Sequence, residues 1–162
     1  MIKKRRAFII GLKSKALTKK EKLFLRKYKP WGVILFSRNI QNFQQVKKLI
    51  FEIKSIFRDK NYPVLIDQEG GRVNRLNKFI ESSIFSGEYF GNLYRHNKNK
   101  FSTYFKIYIN QTAYLLNELG ININTVPVLD LRRNKTSSII GDRSYSSSKK
   151  NVSKIGDICI EE

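Results

Sequence analysis

Val64-Leu65-Ile66-Asp67-Gln68-Glu69-Gly70-Gly71-Arg72-Val73-Asn74-Arg75 decides the reading of this chain. An apolar run from Pro63 to Ile66 stops at two acids, two glycines and two arginines. A buried parallel strand ends this way when its C-terminal tip opens into a polar site. Glycines let the backbone turn away without steric cost. The arginines add planar, permanently charged forks of hydrogen-bond donors.

On either side, short apolar runs alternate with helical patterns. Ala7 to Leu12 reads as a first strand. Thr18-Lys19-Lys20-Glu21 fits a capping box that opens a helix through about Tyr28. Pro30 and Trp31 punctuate it, and Gly32 to Phe36 is a second buried strand. Phe43, Val46, Ile50, Ile53 and Phe57 then recur at helical spacing, with Lys47, Lys54 and Arg58 largely on the other face. Tyr62 to Ile66 is the third strand. Leu76 to Lys100 is polar and aromatic, without firm periodicity. Phe101, Phe105, Tyr108, Thr112, Leu115 and Leu119 line one face of a long helix, and Gly120 suits its C′ position. Ile121 to Leu131 reads as strand four, with Pro127 restricting its pairing. A last helix starts near Lys150, with Val152, Ile155 and Cys159 inward.

Strand–helix alternation predicts an α/β fold with a parallel sheet. Four such units are half of a (β/α)₈ barrel, which needs roughly 250 residues. The expectation is one partial barrel domain over residues 1–162, the N-terminal half, incomplete at its C-terminus. Strands one and four would be edges, which predicts self-association that grows with salt.

The chain has 162 residues, 41% of them hydrophobic, enough for one core. Its 32 Lys and Arg against 13 acids give a net charge of +19. Such charge attracts polyanions. The cations are spread between the apolar positions of helices, however, and no nucleic-acid recognition motif accompanies them. They read as a solvated basic surface with no specific nucleic-acid partner. Lys3 to Arg6 ahead of Ala7 to Leu12 mimic a signal peptide, but the apolar part is six residues long and no small-residue cleavage site is apparent. Cys159 stands alone, so no intrachain disulfide forms. Both points favour the cytoplasm. No metal-ligand cluster, phosphate loop or Ser-His-Asp arrangement is visible, and no cofactor is implied.

Asp67 and Glu69 lie two apart and face one side of an extended chain. A carboxylate pair is what most glycosidases use as acid and nucleophile. The wider pattern points elsewhere. The opening stretch resembles the DQEGGRVxR signature of the family 3 glycoside hydrolases, of the bacterial β-N-acetylhexosaminidase type. Three further blocks carry the same resemblance in order. Gly32-Val33-Ile34-Leu35-Phe36-Ser37-Arg38-Asn39 is similar to the GLILFxRN strand and loop. Thr125 to Asp130 is similar to the (A/S)PVLD strand, and Gly141-Asp142-Arg143-Ser144-Tyr145 to the G-[DE]-R-[SA]-[FY] loop.

The resemblance implies hydrolysis of terminal β-linked N-acetylglucosamine, as in cell-wall muropeptides, by a retaining mechanism. It assigns substrate binding to Asp67, Arg75 and Arg143. Glu69 is left to order the turn or pair with a nearby arginine, and Arg72 to a structural role. The family's Leu-Pro loop after GRVxR is not recognisable in Phe79 to Phe85. The K-H-F-P-G-H-G segment, with its substrate-binding Lys-His pair and acid/base histidine, does not occur in these residues, nor does the late-strand nucleophilic Asp. His96, the only histidine, sits in a polar loop setting that does not suit that role. No catalytic residue is therefore assigned. The 162 residues are expected to hold an N-acetylglucosamine-containing glycan, with a missing C-terminal half as a candidate partner, and to be inactive alone. An inactive gene fragment and a non-catalytic sugar- or polyanion-binding module are the alternatives.

Overall fold

The structure is a computed structural model that describes residues 4–133 and 138–162, so Lys3 of the basic N-terminal cluster lies outside the described residues. It divides into two compact units, Met1–Asp67 with Leu115–Asn124, and Gln68–Tyr114 with Thr125–Glu162.

The first unit is built on a parallel sheet of four strands in sequential order: β1 (Arg6–Gly11), β2 (Pro30–Leu35), β3 (Val64–Ile66) and β4 (Ile123–Asn124). Val33 pairs with Val64, and Leu65 with Ile123. Sequential parallel order with intervening helices is the organisation of a (β/α)₈ barrel's first strands. Val33, Leu35, Val64 and Ile66 are fully buried. Each such side chain contributes about 1.5–3 kcal/mol relative to exposure. β1 and β4 are the outer strands.

Helix α1 (Lys19–Tyr28) starts where its capping residues dictate. Thr18 Oγ1 accepts from the Glu21 N–H, and the Glu21 carboxylate accepts from the Thr18 N–H at 2.8 Å. Such a cap is worth about 1 kcal/mol. Helix α2 (Phe43–Phe57) buries Val46, Leu49, Ile50 and Ile53. Both helices end on a residue in the left-handed region, Lys29 (φ 49°) and Arg58 (φ 48°). A side chain there costs on the order of 1 kcal/mol against glycine.

Asn39 sits in a short 3₁₀ turn, Ser37–Asn39, after β2 and is fully buried. Its Nδ2 donates to the Leu12 and Ser14 carbonyls at 3.2 and 2.8 Å, and its Oδ1 accepts from the Phe36 N–H. The residues similar to the family's strand–loop block thus tie the end of β1 to the end of β2.

Two further helices, α3 (Gly87–His96) and α5 (Lys149–Glu161), belong to the second unit, while α4 (Lys98–Leu119) begins in the second unit and ends in the first. At its end Gly120 takes φ +87°, and the Gly120 carbonyl accepts from Lys54 Nζ at 2.8 Å. Phe90, Phe101, Phe105 and Ile155 form the core of the second unit, with Phe85, Tyr108, Tyr145 and Cys159 packed against them. Ring centroids of Phe90–Phe105 and Phe101–Phe105 are each 4.8 Å apart, a spacing at which aromatic pairs attract.

Three expectations change. Pro30 and Trp31 do not merely punctuate; they begin β2, at the first strand position, where a missing N–H is tolerated. Strand four shrinks from Ile121–Leu131 to Ile123–Asn124. Asn122 takes over the adjoining pairing, its Oδ1 accepting from the Val64 N–H at 2.8 Å, and Pro127 has no N–H to continue the ladder. The region without periodicity contains α3, and His96 is its exposed last residue rather than part of a loop.

Candidate functional site

The chain leaves β3 at Asp67, which is half-buried and closes the first unit's main segment. Gln68 opens the second unit and anchors the turn beyond it. It is buried, and its Oε1 accepts from the N–H groups of Arg75 and Leu76 at 2.9 and 3.1 Å, while its Nε2 donates to Asn74 at 3.0 Å. Between these anchors the backbone reverses sharply. The Glu69 N–H donates to Val73 O, and the Val73 N–H to Gly70 O. Gly70 and Gly71 carry φ of +87° and +56°, and a Cβ on Gly70 would lie 2.3 Å from Phe85 O and 2.4 Å from Tyr108 Oη. No side chain fits there.

Facing this turn is the loop ending in Gly141–Tyr145. Arg143 donates Nε and Nη2 to the two oxygens of Glu69, at 2.8 and 2.7 Å. The Glu69 side chain is 9% exposed and Arg143's 25%. A two-point arginine–carboxylate contact of this kind fixes orientation as well as position. Arg72 holds the same loop from its other side. Its Nε meets Asp142 Oδ1 at 2.9 Å, and its Nη2 lies 2.6–3.0 Å from the carbonyls of Ser138, Ile139 and Ile140. Arg132 adds a third tie, pairing with Glu88 on α3 and donating to Gly141 O. The hydrogen bond from Arg132 holds the Glu88 carboxyl below its ordinary range.

Two glycines of α3 let this loop lie on the helix. A Cβ on Gly87 would stand 2.1 Å from Arg143 O, and one on Gly91 only 1.6 Å from Tyr145 O. Ser144, fully buried, donates to Asp130 O at 2.6 Å. Burial pushes the Tyr145 and Tyr108 hydroxyls above the usual phenol range. The cavity enclosed by Glu69, Arg72, Ser86, Asp142, Arg143 and Tyr145 measures about 10 Å³, room for one water-sized group. These side chains are packed on one another.

The three sequence-predicted binding residues do not all fall in one unit. Asp67 belongs to the first, Arg75 and Arg143 to the second. Arg75 is half-buried at the end of the Gln68-anchored turn, and Arg143 is held by Glu69. Arg72 has the structural role expected of it, and Glu69 pairs with an arginine as anticipated. Sequence reasoning gave no role to Gln68, Gly87 or Gly91, and placed Tyr108 only on one face of the long helix. Gln68 lay inside the opening motif; the glycines could have been found from their spacing of four. Among the described residues, no group of three or more His, Cys, Asp or Glu is arranged to hold a metal ion. None of the described helices is long and apolar enough to cross a membrane.

This strand–turn–loop arrangement has known counterparts. The profile of the glycosyl hydrolase family 3 N-terminal domain matches residues 9–162. The chain belongs to that family. It is 32% identical over 136 residues to beta-hexosaminidase A of Pseudoalteromonas piscicida, covering 82% of this chain and 22% of that protein. With the beta-hexosaminidase of Thioalkalivibrio sulfidiphilus it shares 31% identity over 137 residues, 85% of this chain and 39% of the relative. Among solved structures, NagZ from Neisseria gonorrhoeae in complex with N-trifluoroacetyl-D-glucosamine superposes with a TM-score of 0.85 at 28% identity, over 96% of this chain and 45% of that one. The chain therefore spans less than half the length of each of these relatives.

Proposed function

We propose that this chain forms the substrate-holding wall of a β-N-acetylhexosaminidase acting on terminal β-linked N-acetylglucosamine. Asp67, Arg75 and Arg143 contact the sugar's hydroxyls and its N-acetyl region. In a protein that also carries the family's acid/base histidine and nucleophilic aspartate, these groups orient the glycoside for attack at the anomeric carbon. Orientation of this kind contributes several kcal/mol to the rate. The setting we propose is the cytoplasm, and the substrates are sugars released from the cell wall.

One observation carries the reading. The turn that follows the buried strand at Asp67 is held rigidly through Gln68, and the Glu69–Arg143 contact docks the second motif loop against it. Family membership and the sugar-bound relative support it. These 162 residues do not contain the catalytic pair, so they bind and position substrate without turning it over.

The test is a titration of the isotope-labelled chain with N-acetylglucosamine, followed by NMR. Saturable shifts at residues 67–75 and 141–145, weakened about tenfold by Arg75→Ala or Asp67→Asn, are expected. Shifts that are absent, or that persist unchanged in both variants, would overturn the assignment.

A further inference from the structure

The first unit carries a cavity of its own, of about 370 Å³, at the N-terminal end of its sheet, the end opposite Asp67. Lys4, Arg5, Arg26, Lys29 and Arg58 surround it, over a floor of Ile56 and Phe57. Three segments deliver these cations: the entry to β1, the end of α1 and the end of α2.

Basic residues near helix C-termini are ordinarily explained by the helix dipole. That accounts for Arg26, in the last turn of α1. It does not account for the two caps. Glycine fills a left-handed cap with least strain, yet Lys29 and Arg58 are the only non-glycine residues with positive φ among the described residues. Both line this one cavity. Arg5 is held in place by its ion pair with Asp59 and by the Tyr62 ring, whose centroid lies 4.8 Å from the guanidinium carbon. Tyr62 in turn stacks on Phe57 at 3.9 Å. No acid is found among the lining residues. The two helix C-termini supply about half a negative charge each, and Asp59 supplies one more through its pair with Arg5, so the five cations of the lining keep a clear positive excess.

We propose that this cavity binds a multiply charged phosphoanion, with Arg5 as the fixed contact and Lys29 and Arg58 as the two arms. Guanidinium and ammonium groups are the residues that recognise phosphate oxygens. The cavity is larger than one phosphate needs and lies in the size range of small-molecule sites. A bounded cavity with an apolar floor suits a compact ligand better than an extended polymer.

The test uses the full chain, calorimetric titration at about physiological salt, and two probes, inorganic triphosphate and ATP without added metal. Saturable 1:1 binding is expected for both. Equal affinities would locate recognition in the phosphates alone, and tighter ATP binding would add a contact with Phe57; either supports the site. Lys29→Gly with Arg58→Gly relieves the strained caps, so the fold is kept or stabilised, and should weaken binding about tenfold or more. Removing two exposed cations from α4, Lys98→Ala with Lys100→Ala, should change it less than about twofold. Equal losses in the two pairs, no loss in the cap variant, or binding without saturation would each overturn the proposal.

Discussion

Glu69 and Arg143 stand 74 residues apart in sequence, yet each offers the other two hydrogen-bonding atoms at 2.7 and 2.8 Å. Glu69 is the more buried partner. Removing either group leaves the other partly desolvated without its counter-charge, and that penalty exceeds the value of an exposed pair.

In a double-mutant cycle of Glu69→Gln, Arg143→Met and the combination, each single substitution should lower unfolding free energy by about 1–3 kcal/mol. The double variant should lose less than the sum. Urea denaturation reads this directly. A coupling energy within error of zero would show the contact to be no tighter than a surface pair.

Gly91→Ala inverts the usual helix preference. Alanine favours a helix interior by about 1 kcal/mol over glycine. Here its Cβ would fall 1.6 Å from Tyr145 O. The variant should therefore be destabilised by about 2 kcal/mol or more, with Tyr145 more exposed to solvent. A raised thermal midpoint would contradict this.

Turnover is expected to be absent. The 162 residues, purified and incubated with a chromogenic β-N-acetylglucosaminide, should release chromophore at the uncatalysed rate. Activity above background that Asp67→Ala or Glu69→Ala abolishes would restore the carboxylate-pair reading.

Cys159 supplies a pH test. Burial pushes its thiol up to about 11 from an ordinary value of 9. The unfolded chain ionises first, so the native state holds more protons between those values. The thiol's contribution to stability is full below pH 9 and falls as pH rises toward 11, by at most about 1.4 kcal/mol per pH unit. Cys159→Ser should flatten that part of the stability profile. Reaction with a disulfide reagent at about pH 8 should be at least about tenfold slower in the native protein than in urea.

Much of the fold was legible because its signals are local. The Thr18–Glu21 capping box, the 43–57 periodicity and Gly120 each act within a few residues, and each marks a boundary or face that the structure keeps. Helix α3 was hidden for a non-local reason. Gly87 and Gly91 carry no side chain to mark a helical face, and a loop more than fifty residues downstream rests on them. The fourth strand was over-read because Val126, Val128, Leu129 and Leu131 give it an apolar look, whereas pairing ends at Asn124. At the site, residue types were visible and partnerships were not. Nothing near Glu69 in sequence indicates that its arginine is Arg143 rather than Arg72 or Arg75.

The bed that α3 offers to Arg143 and Tyr145 makes the two contacting segments unequal in what they can tolerate. The helix meets the loop through carbonyl oxygens, which every amino acid possesses. Positions 87 and 91 therefore admit almost no replacement on the helix side, while 143 and 145 are constrained separately, by the pair with Glu69 and by packing on the aromatic core. A saturation library should show glycine alone tolerated at 87 and 91, and on the loop a preference for arginine at 143 and an aromatic residue at 145. The helix thus dictates the loop's main chain, and the loop's side chains answer to different neighbours, so one segment is selected for size and the other for charge and ring.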